Sequence, residues 1–337
     1  MGKVKTKIIE YLIVLFVLFV IIISAGAILY FFNFEQAQAK LGVNFSKSYA
    51  EYLGLDWQKT YLAILDDLKV KDVRLAAPWN ELEKEKDVWN FEDLDWQVKE
   101  AAKRNVDVVL TVGRRTPHWP ECHDPGWLKN LPDELAVKRQ LNMVKTVIER
   151  YKKHGNIKVW QVENEPLLNV FGVCPKSDLE LLRKEIALVK TLDDRPVMVT
   201  DSGELSLWIV SANLGDLFGS TMYRVTYNKW LGYLYYHLPP AFYTIKATMV
   251  GLPLQRAIVS ELQAEPWAPN GLLNTSQEEQ KKSMDAERLV NHVNYATRTG
   301  FSKIYLWGAE WWYWLKTVKN NDSLWLTARQ IFQKQEK

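Results

Sequence analysis

The chain has 337 residues, 47% hydrophobic and 25% charged, with a formal net charge of +3. That composition belongs to a globular chain able to bury a full core, and it excludes a disordered one. A charge this close to zero gives no argument for nucleic acid or another polyanionic partner.

The first predicted element precedes the globule. Lys3, Lys5 and Lys7 lead into an uncharged run from Tyr11 to Phe32. At about 1.5 Å per residue, twenty-odd residues span a ~30 Å hydrocarbon layer. The positive-inside rule then leaves the N-terminus in the cytoplasm and everything after Phe32 outside. The expected organisation is a tail and signal anchor over residues 1–36 and one folded domain over 37–337. Cleavage as a signal peptide is the alternative, because Ala37-Gln38-Ala39 resembles a small-residue cleavage site. The apolar run exceeds the ~7–15 residues usual for a signal core, which favours the uncleaved anchor. Either route exports the domain.

From Lys40 onward short apolar strands alternate with amphipathic helices. Strands are predicted at Leu41–Phe45, Val73–Ala77, Asp107–Val112, Val159–Val162, Val197–Thr200, Gly219–Tyr223, Ala257–Ser260 and Lys303–Trp307. Helical spacing is predicted over Thr60–Lys69, Leu94–Arg104, Asp133–Lys153, Leu179–Lys190 and Glu278–Thr299. Continuous apolar strands separated by helices imply a parallel sheet covered on both faces. Eight such units in about 300 residues match a closed (β/α)8 TIM barrel. An open doubly wound sheet would want a glycine-rich phosphate loop after an early strand, and none is present.

In such a barrel the active site lies where strands end and loops begin. The fourth strand runs into Glu163-Asn164-Glu165-Pro166, and the seventh into Ser260-Glu261. A carboxylate is costly in a core and useful at a rim. Asn-Glu-Pro at the fourth strand, Glu at the seventh and Trp307 at the eighth together resemble clan A of the glycoside hydrolases. Families 5 and 39 are the most similar, and the resemblance runs from Lys40 to the C-terminus.

The resemblance implies a retaining hydrolase of β-linked sugars that works by double displacement. Glu165 would be the acid/base and Glu261 the nucleophile, about 5–5.5 Å apart. Arg74 matches the clan arginine that holds the nucleophile, and Asn164 the asparagine that binds the sugar 2-hydroxyl. Tyr223 matches a tyrosine donating to the nucleophile, with Tyr227 as the alternative. Trp307 would be a platform under the sugar, and His118 would bind sugar hydroxyls, with His123 the weaker candidate. No cofactor or metal is implied, because two carboxylates suffice. Five histidines are too few to suggest a metal-dependent barrel. The expected partners are a carbohydrate and, through the anchor, the membrane.

Several residues have two readings. Glu163 and Glu265 compete for the catalytic roles. Trp79, Trp119 and Trp267 are either cleft wall or core, and Asp201 is either a sugar ligand or a helix cap. Glu310, Trp311, Trp312 and Trp314 read as an aromatic loop with at least one tryptophan lining the cleft. Cys122 follows the third strand and Cys174 the fourth, so neighbouring loops predict a disulfide, two free thiols being the alternative. A non-catalytic carbohydrate-binding barrel and a transglycosylase remain as alternative functions.

Overall fold

A computed structural model of the protein describes residues 39–335, together with residues 7, 11, 13–20 and 24. The expected membrane span from Tyr11 to Phe32 lies largely outside the described residues, as does the boundary between residues 36 and 37. Those of the span that are described, Tyr11, residues 13–20 and Ser24, are helical and exposed. Among the described residues no helix is long and apolar enough to cross a membrane.

Ten strands are described: β1 (Lys40–Asn44), β2 (Asp72–Ala76), β3 (Asp107–Val112), β4 (Ile157–Val162), β5 (Val197–Asp201), β6 (Leu217–Met222), β7 (Val225–Asn228), β8 (Gly232–Tyr235), β9 (Ala257–Gln263) and β10 (Lys303–Trp307). Eight of them close a parallel barrel in the order β1-β10-β9-β6-β5-β4-β3-β2. Closure comes from β1, which pairs with β10 at Lys40 and Lys303 and with β2 at Val43 and Val73. The barrel strands are the eight predicted ones, with ends shifted by a few residues. The remaining two, β7 and β8, form an antiparallel hairpin in the loop after β6, an element the sequence pattern does not announce.

The helices are α1 (Lys47–Tyr52), α2 (Trp57–Asp66), α3 (Trp79–Leu82), α4 (Glu92–Lys103), α5 (Asp133–Tyr151), α6 (Leu179–Leu192), α7 (Ala241–Met249), α8 (Gln277–Gln280), α9 (Ala286–Thr297), α10 (Ala309–Val318) and α11 (Ser323–Gln333). Aspartates start several of them. Asp56, Asp178 and Asp285 accept backbone N–H groups of Lys59, Leu181 and Arg288, each such cap contributing about 1 kcal/mol. The predicted helix Glu278–Thr299 is broken into α8 and α9, with buried Ser283 and Met284 between them. The predicted aromatic loop is instead α10, whose Trp311, Trp312 and Trp314 are buried.

Strand alternation sorts the core into two compartments. Outward residues such as Val73, Leu75, Val108 and Leu110 pack under the helices in one large cluster. Inward residues Val109, Val159, Met198, Ile258 and Tyr305 form a separate cluster inside the barrel. Above it, toward the C-terminal strand ends, the interior turns polar. At the opposite face the start of β1 meets the residues after α11, where the Gln335 side chain accepts from Leu41 N at 2.8 Å and donates to Ala39 O at 2.7 Å.

Candidate active site

Arg74 lies between outward-facing Val73 and Leu75 on β2, so its side chain enters the barrel and is 2% exposed. Every part of its guanidinium is used. Nε donates to Gln161 Oε1 at 2.6 Å, Nη2 to Asn164 Oδ1 at 2.7 Å, and Nη1 to Asn44 Oδ1 at 2.7 Å and Glu261 Oε1 at 3.0 Å. A buried charge needs this degree of pairing to be tolerated. Asn44 is in turn fixed by donating to Ser260 O at 3.1 Å.

Glu261 reaches this group because β9 is irregular. Val259 faces outward, so strict alternation would turn residue 261 outward too. The pairing with both neighbours shifts register between Val259 and Glu261 or Leu262. Such a bulge re-aims the residues after it, and Glu261 enters the barrel beside Arg74. Its second oxygen accepts from Tyr223 Oη at 3.0 Å. Tyr223 follows β6 directly, whereas Tyr227 lies on the hairpin and packs against Tyr233. Of the two tyrosines weighed from sequence, Tyr223 is the one in contact with Glu261.

Glu165 stands on a tight turn after β4. It has φ +44°, and Glu163 has φ +58°, a region few non-glycine residues occupy, and one found at functional sites. The turn separates the two carboxylates. Glu163 accepts the backbone N–H groups of Arg114 at 2.7 Å and Arg115 at 2.6 Å, and Gln140 Nε2 at 3.1 Å. A Cβ on Gly113 would lie 2.4 Å from Glu163 Oε1, so only glycine allows this clasp. Glu165 instead accepts from Thr221 Oγ1 at 3.2 Å, while its own N–H donates to Thr200 Oγ1 at 2.9 Å. Thr221 is the residue paired with Glu261 on the neighbouring strand. Burial holds the Glu165 carboxyl well above the usual carboxylate range, reinforced by the charges of Glu261 and Glu121.

Asn164 takes two partners besides Arg74 and Gln161. Its Nδ2 donates to Glu121 Oε2 at 3.3 Å, and Thr200 Oγ1 donates to its Oδ1 at 3.3 Å. Glu121 is a third carboxyl group in the site. It belongs to no motif and no helical or strand period, so nothing in the sequence marks it. Asn44, Gln161 and Thr221 are likewise missed, though each lies on a predicted barrel strand or one residue from its end.

The loops around the mouth are tightly joined. Cys122 and Cys174 are disulfide-bonded, with Cα atoms 5.2 Å apart. The His118 ring stacks on Trp307, centroids 4.0 Å apart, and on Tyr49 at 4.9 Å. Burial pushes His118 down to about 3, so the ring is neutral at physiological pH. Trp307 is 8% exposed and donates through Nε1 to Glu265 Oε1 at 2.8 Å. One face of the expected platform is therefore covered by His118. Glu265 is occupied structurally, since Tyr49 Oη also donates to it at 2.8 Å.

The residues with two readings fall as follows. Trp79 is fully buried and bonded to Glu83 at 2.7 Å, so it is core. Trp119 is 73% exposed at the rim, and Trp267 packs edge-on against Tyr223 at 5.5 Å. Asp201 accepts from Ser206 and Ser211 hydroxyls and from Ser202 N, which organises the loop after β5. His123 contacts His118 O at 3.2 Å and supports the loop from behind. Trp311 and Trp312 do not line the cleft. Their indoles donate to Gln280 Oε1 and Ala264 O beneath it. Among the described residues no His, Cys, Asp and Glu cluster could hold a metal ion.

These buried carboxyls give the protein a pH-dependent stability. Burial pushes Glu121 and Glu265 up to about 7 and Glu310 up to about 8, the Glu261 charge adding to the first two. An unfolded glutamate titrates near about 4.3. The folded chain therefore binds more protons than the unfolded chain between these values. The stability from these groups is complete below the unfolded value and is lost as pH rises through about 7 to 8. Thermal melts should show a midpoint that falls from pH 5 to pH 9, and Glu310→Gln should flatten the upper part of that fall. A midpoint that climbs across the interval contradicts the assignment.

No protein-family profile matches the chain. The β-galactosidase BgaA of Clostridium cellulovorans is 26% identical over 205 residues, covering 52% of this chain and 30% of that protein. The chain thus spans less than a third of the curated relative's length. Among solved structures, xylanase 10B of Thermotoga petrophila in complex with xylobiose superposes with a TM-score of 0.59 at 15% identity, over 89% of this chain and 95% of that one. GH5_18 of Bifidobacterium longum in complex with Manβ1-4GlcNAc gives 0.58 at 13% identity, over 80% and 68%. The chain has the fold of the clan A glycoside hydrolases, a parallel eight-stranded barrel ringed by helices.

Proposed function

We propose that the protein is a retaining glycoside hydrolase that cleaves β-glycosidic bonds, with Glu261 as nucleophile and Glu165 as acid/base. One observation carries this reading. Two glutamates from the ends of the fourth and seventh barrel strands share the barrel mouth in opposite environments. Glu261 has a guanidinium on one oxygen and a phenol on the other, donors that stabilise its negative charge. Glu165 accepts a neutral hydroxyl, and burial holds its carboxyl well above the usual carboxylate range. A buried carboxyl beside one that accepts from a guanidinium and a phenol suits the acid/base and nucleophile roles respectively.

The chemistry follows. Glu261 attacks the anomeric carbon as Glu165 gives its proton to the departing oxygen, forming a glycosyl ester at Glu261. The ionised Glu165 then takes a proton from water as that water attacks the anomeric carbon from the opposite face. Glu261 leaves as carboxylate and the configuration is retained. Asn164, fixed by Arg74 and Glu121, is offered to the sugar 2-hydroxyl. Arg74 and Tyr223 keep Glu261 in one orientation, so little reorganisation is needed during attack.

An extracytoplasmic, membrane-tethered setting is part of the proposal. Its support is the lysine-flanked apolar run from Tyr11 to Phe32 and a disulfide of the kind that persists in oxidising compartments.

The test uses aryl β-glycosides and azide. Glu165→Ala should lose activity and recover it with azide, giving a β-glycosyl azide. Glu261→Gly with azide should give the α-azide. Swapped stereochemistry would mean that the two roles are reversed, and an active Glu261→Gly without azide would remove the mechanism.

A further inference from the structure

The loops above the catalytic pair form two walls. After β3 and β4 the chain makes one of them, tied by the Cys122–Cys174 bond, by Val173 N donating to Pro120 O at 3.0 Å, and by Arg115 donating to Leu168 O and Phe171 O. Gly172 packs so closely that a Cβ there would lie 2.7 Å from Glu121 Cβ. The loops after β1, β9 and β10 make the other wall. Its clamp is Glu265, which holds both Tyr49 and Trp307.

These walls touch across the mouth at two points. Phe171, six residues beyond Glu165, meets Trp267, six residues beyond Glu261, with ring centroids 6.4 Å apart at 62°. Both values lie in the range of edge-to-face aromatic contacts. Trp267 continues onto Tyr223, which holds Glu261, so this span sits beside the nucleophile. The second contact is His118, inserted between Tyr49 and Trp307. Glu265 holds the two rings that flank His118. In barrel order the first span joins positions four and seven, and the second joins three and eight. They are two parallel chords over one ring.

The two walls and the two aromatic contacts narrow the mouth above Glu165 and Glu261. A chain lying along the chords would run into the walls. A chain lying across them would have to pass under both aromatic contacts. Beneath these contacts Glu165 and Glu261 are 8% and 4% exposed.

Building on the glycosidase reading, we propose that the site is a pocket for one terminal sugar, and that the enzyme is exo-acting and releases monosaccharide rather than cutting within a polymer. The aromatic contacts and exposed Trp119 then form the rim that the penultimate sugar meets.

Product analysis on the wild-type protein tests this. The substrates are β-1,4-linked hexasaccharides of glucose, mannose, xylose and galactose, each carrying a fluorophore at the reducing end. The expected early product is free monosaccharide, with the labelled chain shortening one sugar at a time from six to five to four. Labelled dimers and trimers among the first products overturn the pocket and leave the glycosidase reading standing. All four hexasaccharides intact, together with no turnover of the aryl monosaccharides, overturns the glycosidase reading and the pocket with it. Aryl monosaccharides cleaved with all four hexasaccharides intact supports a pocket that takes one sugar.

Discussion

Glu261→Gln is expected to lower kcat/KM on an aryl β-glycoside by about 10⁴-fold or more, the scale on which removing a nucleophile acts. The amide keeps the shape of the carboxylate; its oxygen can still accept from Arg74 and its NH2 can donate to Tyr223 Oη, so the fold should survive. What it loses is the attacking charge. A variant that folds, binds and does not turn over would separate chemistry from binding, with KM moving little beside kcat. The same change at the neighbouring candidates should behave differently. Glu265 and Glu163 are committed to Tyr49 and Trp307 and to the Arg114 and Arg115 backbone. Glutamine there should cost stability and leave a measurable kcat. Loss of more than about 10³-fold at Glu265→Gln with Glu261→Gln still active would contradict the assignment.

Arg74→Met should carry the largest stability cost of any single change in the site. Its partners Asn44, Gln161, Asn164 and Glu261 are all buried, and its side chain and that of Glu261 are 1% and 6% exposed. Removing the cation leaves a carboxylate without its counter-charge and the amide oxygens of Asn44 and Gln161 without their donor, while Asn164 keeps Thr200 and Gln161. Breaking a buried pair from one side typically costs about 3–5 kcal/mol. Urea unfolding of the purified domain measures it. The double variant Arg74→Met/Glu261→Gln should recover part of the loss, since the uncompensated charge is gone, and the coupling is read from the cycle. A single-variant cost under about 1 kcal/mol, or no recovery in the double variant, would show that the ion pair does not organise the site.

Much of the barrel was legible because buried parallel strands read as short continuous apolar runs. Asp107–Val112 and Lys303–Trp307 have the predicted bounds, and Val73–Ala77 is shifted by one residue. The hairpin from Val225 to Tyr235 was not legible, since it has no Asn-Gly turn and neither strand is buried enough to force a pattern. Ala309–Val318 misled for a chemical reason. Three tryptophans in four residues suggest sugar stacking and have modest helix propensity, yet the packing beneath β10 needs their volume, and the helix turns them inward.

In the site, the residues at motif positions were legible, and those placed by irregular backbone were not. Nothing in Ser260-Glu261 reveals the bulge that turns Glu261 into the barrel. Nothing around Glu121 reveals that a disulfide-closed loop folds its carboxyl back onto Asn164. His118 was found by its position, but its stacking on Trp307 depends on Tyr49, a residue 69 positions away that only the closed ring brings near. These are consequences of tertiary closure, and periodicity carries no record of them.

The most direct measurement is covalent trapping with a 2-deoxy-2-fluoro-β-glycosyl fluoride, followed by peptide mass mapping. Slow hydrolysis of the fluorosugar ester should leave one adduct per protein, on the Ala257–Gln263 strand at Glu261. An adduct at Glu121, Glu163, Glu165 or Glu265, or rapid turnover of the reagent by a Glu261→Gln protein, would contradict the account.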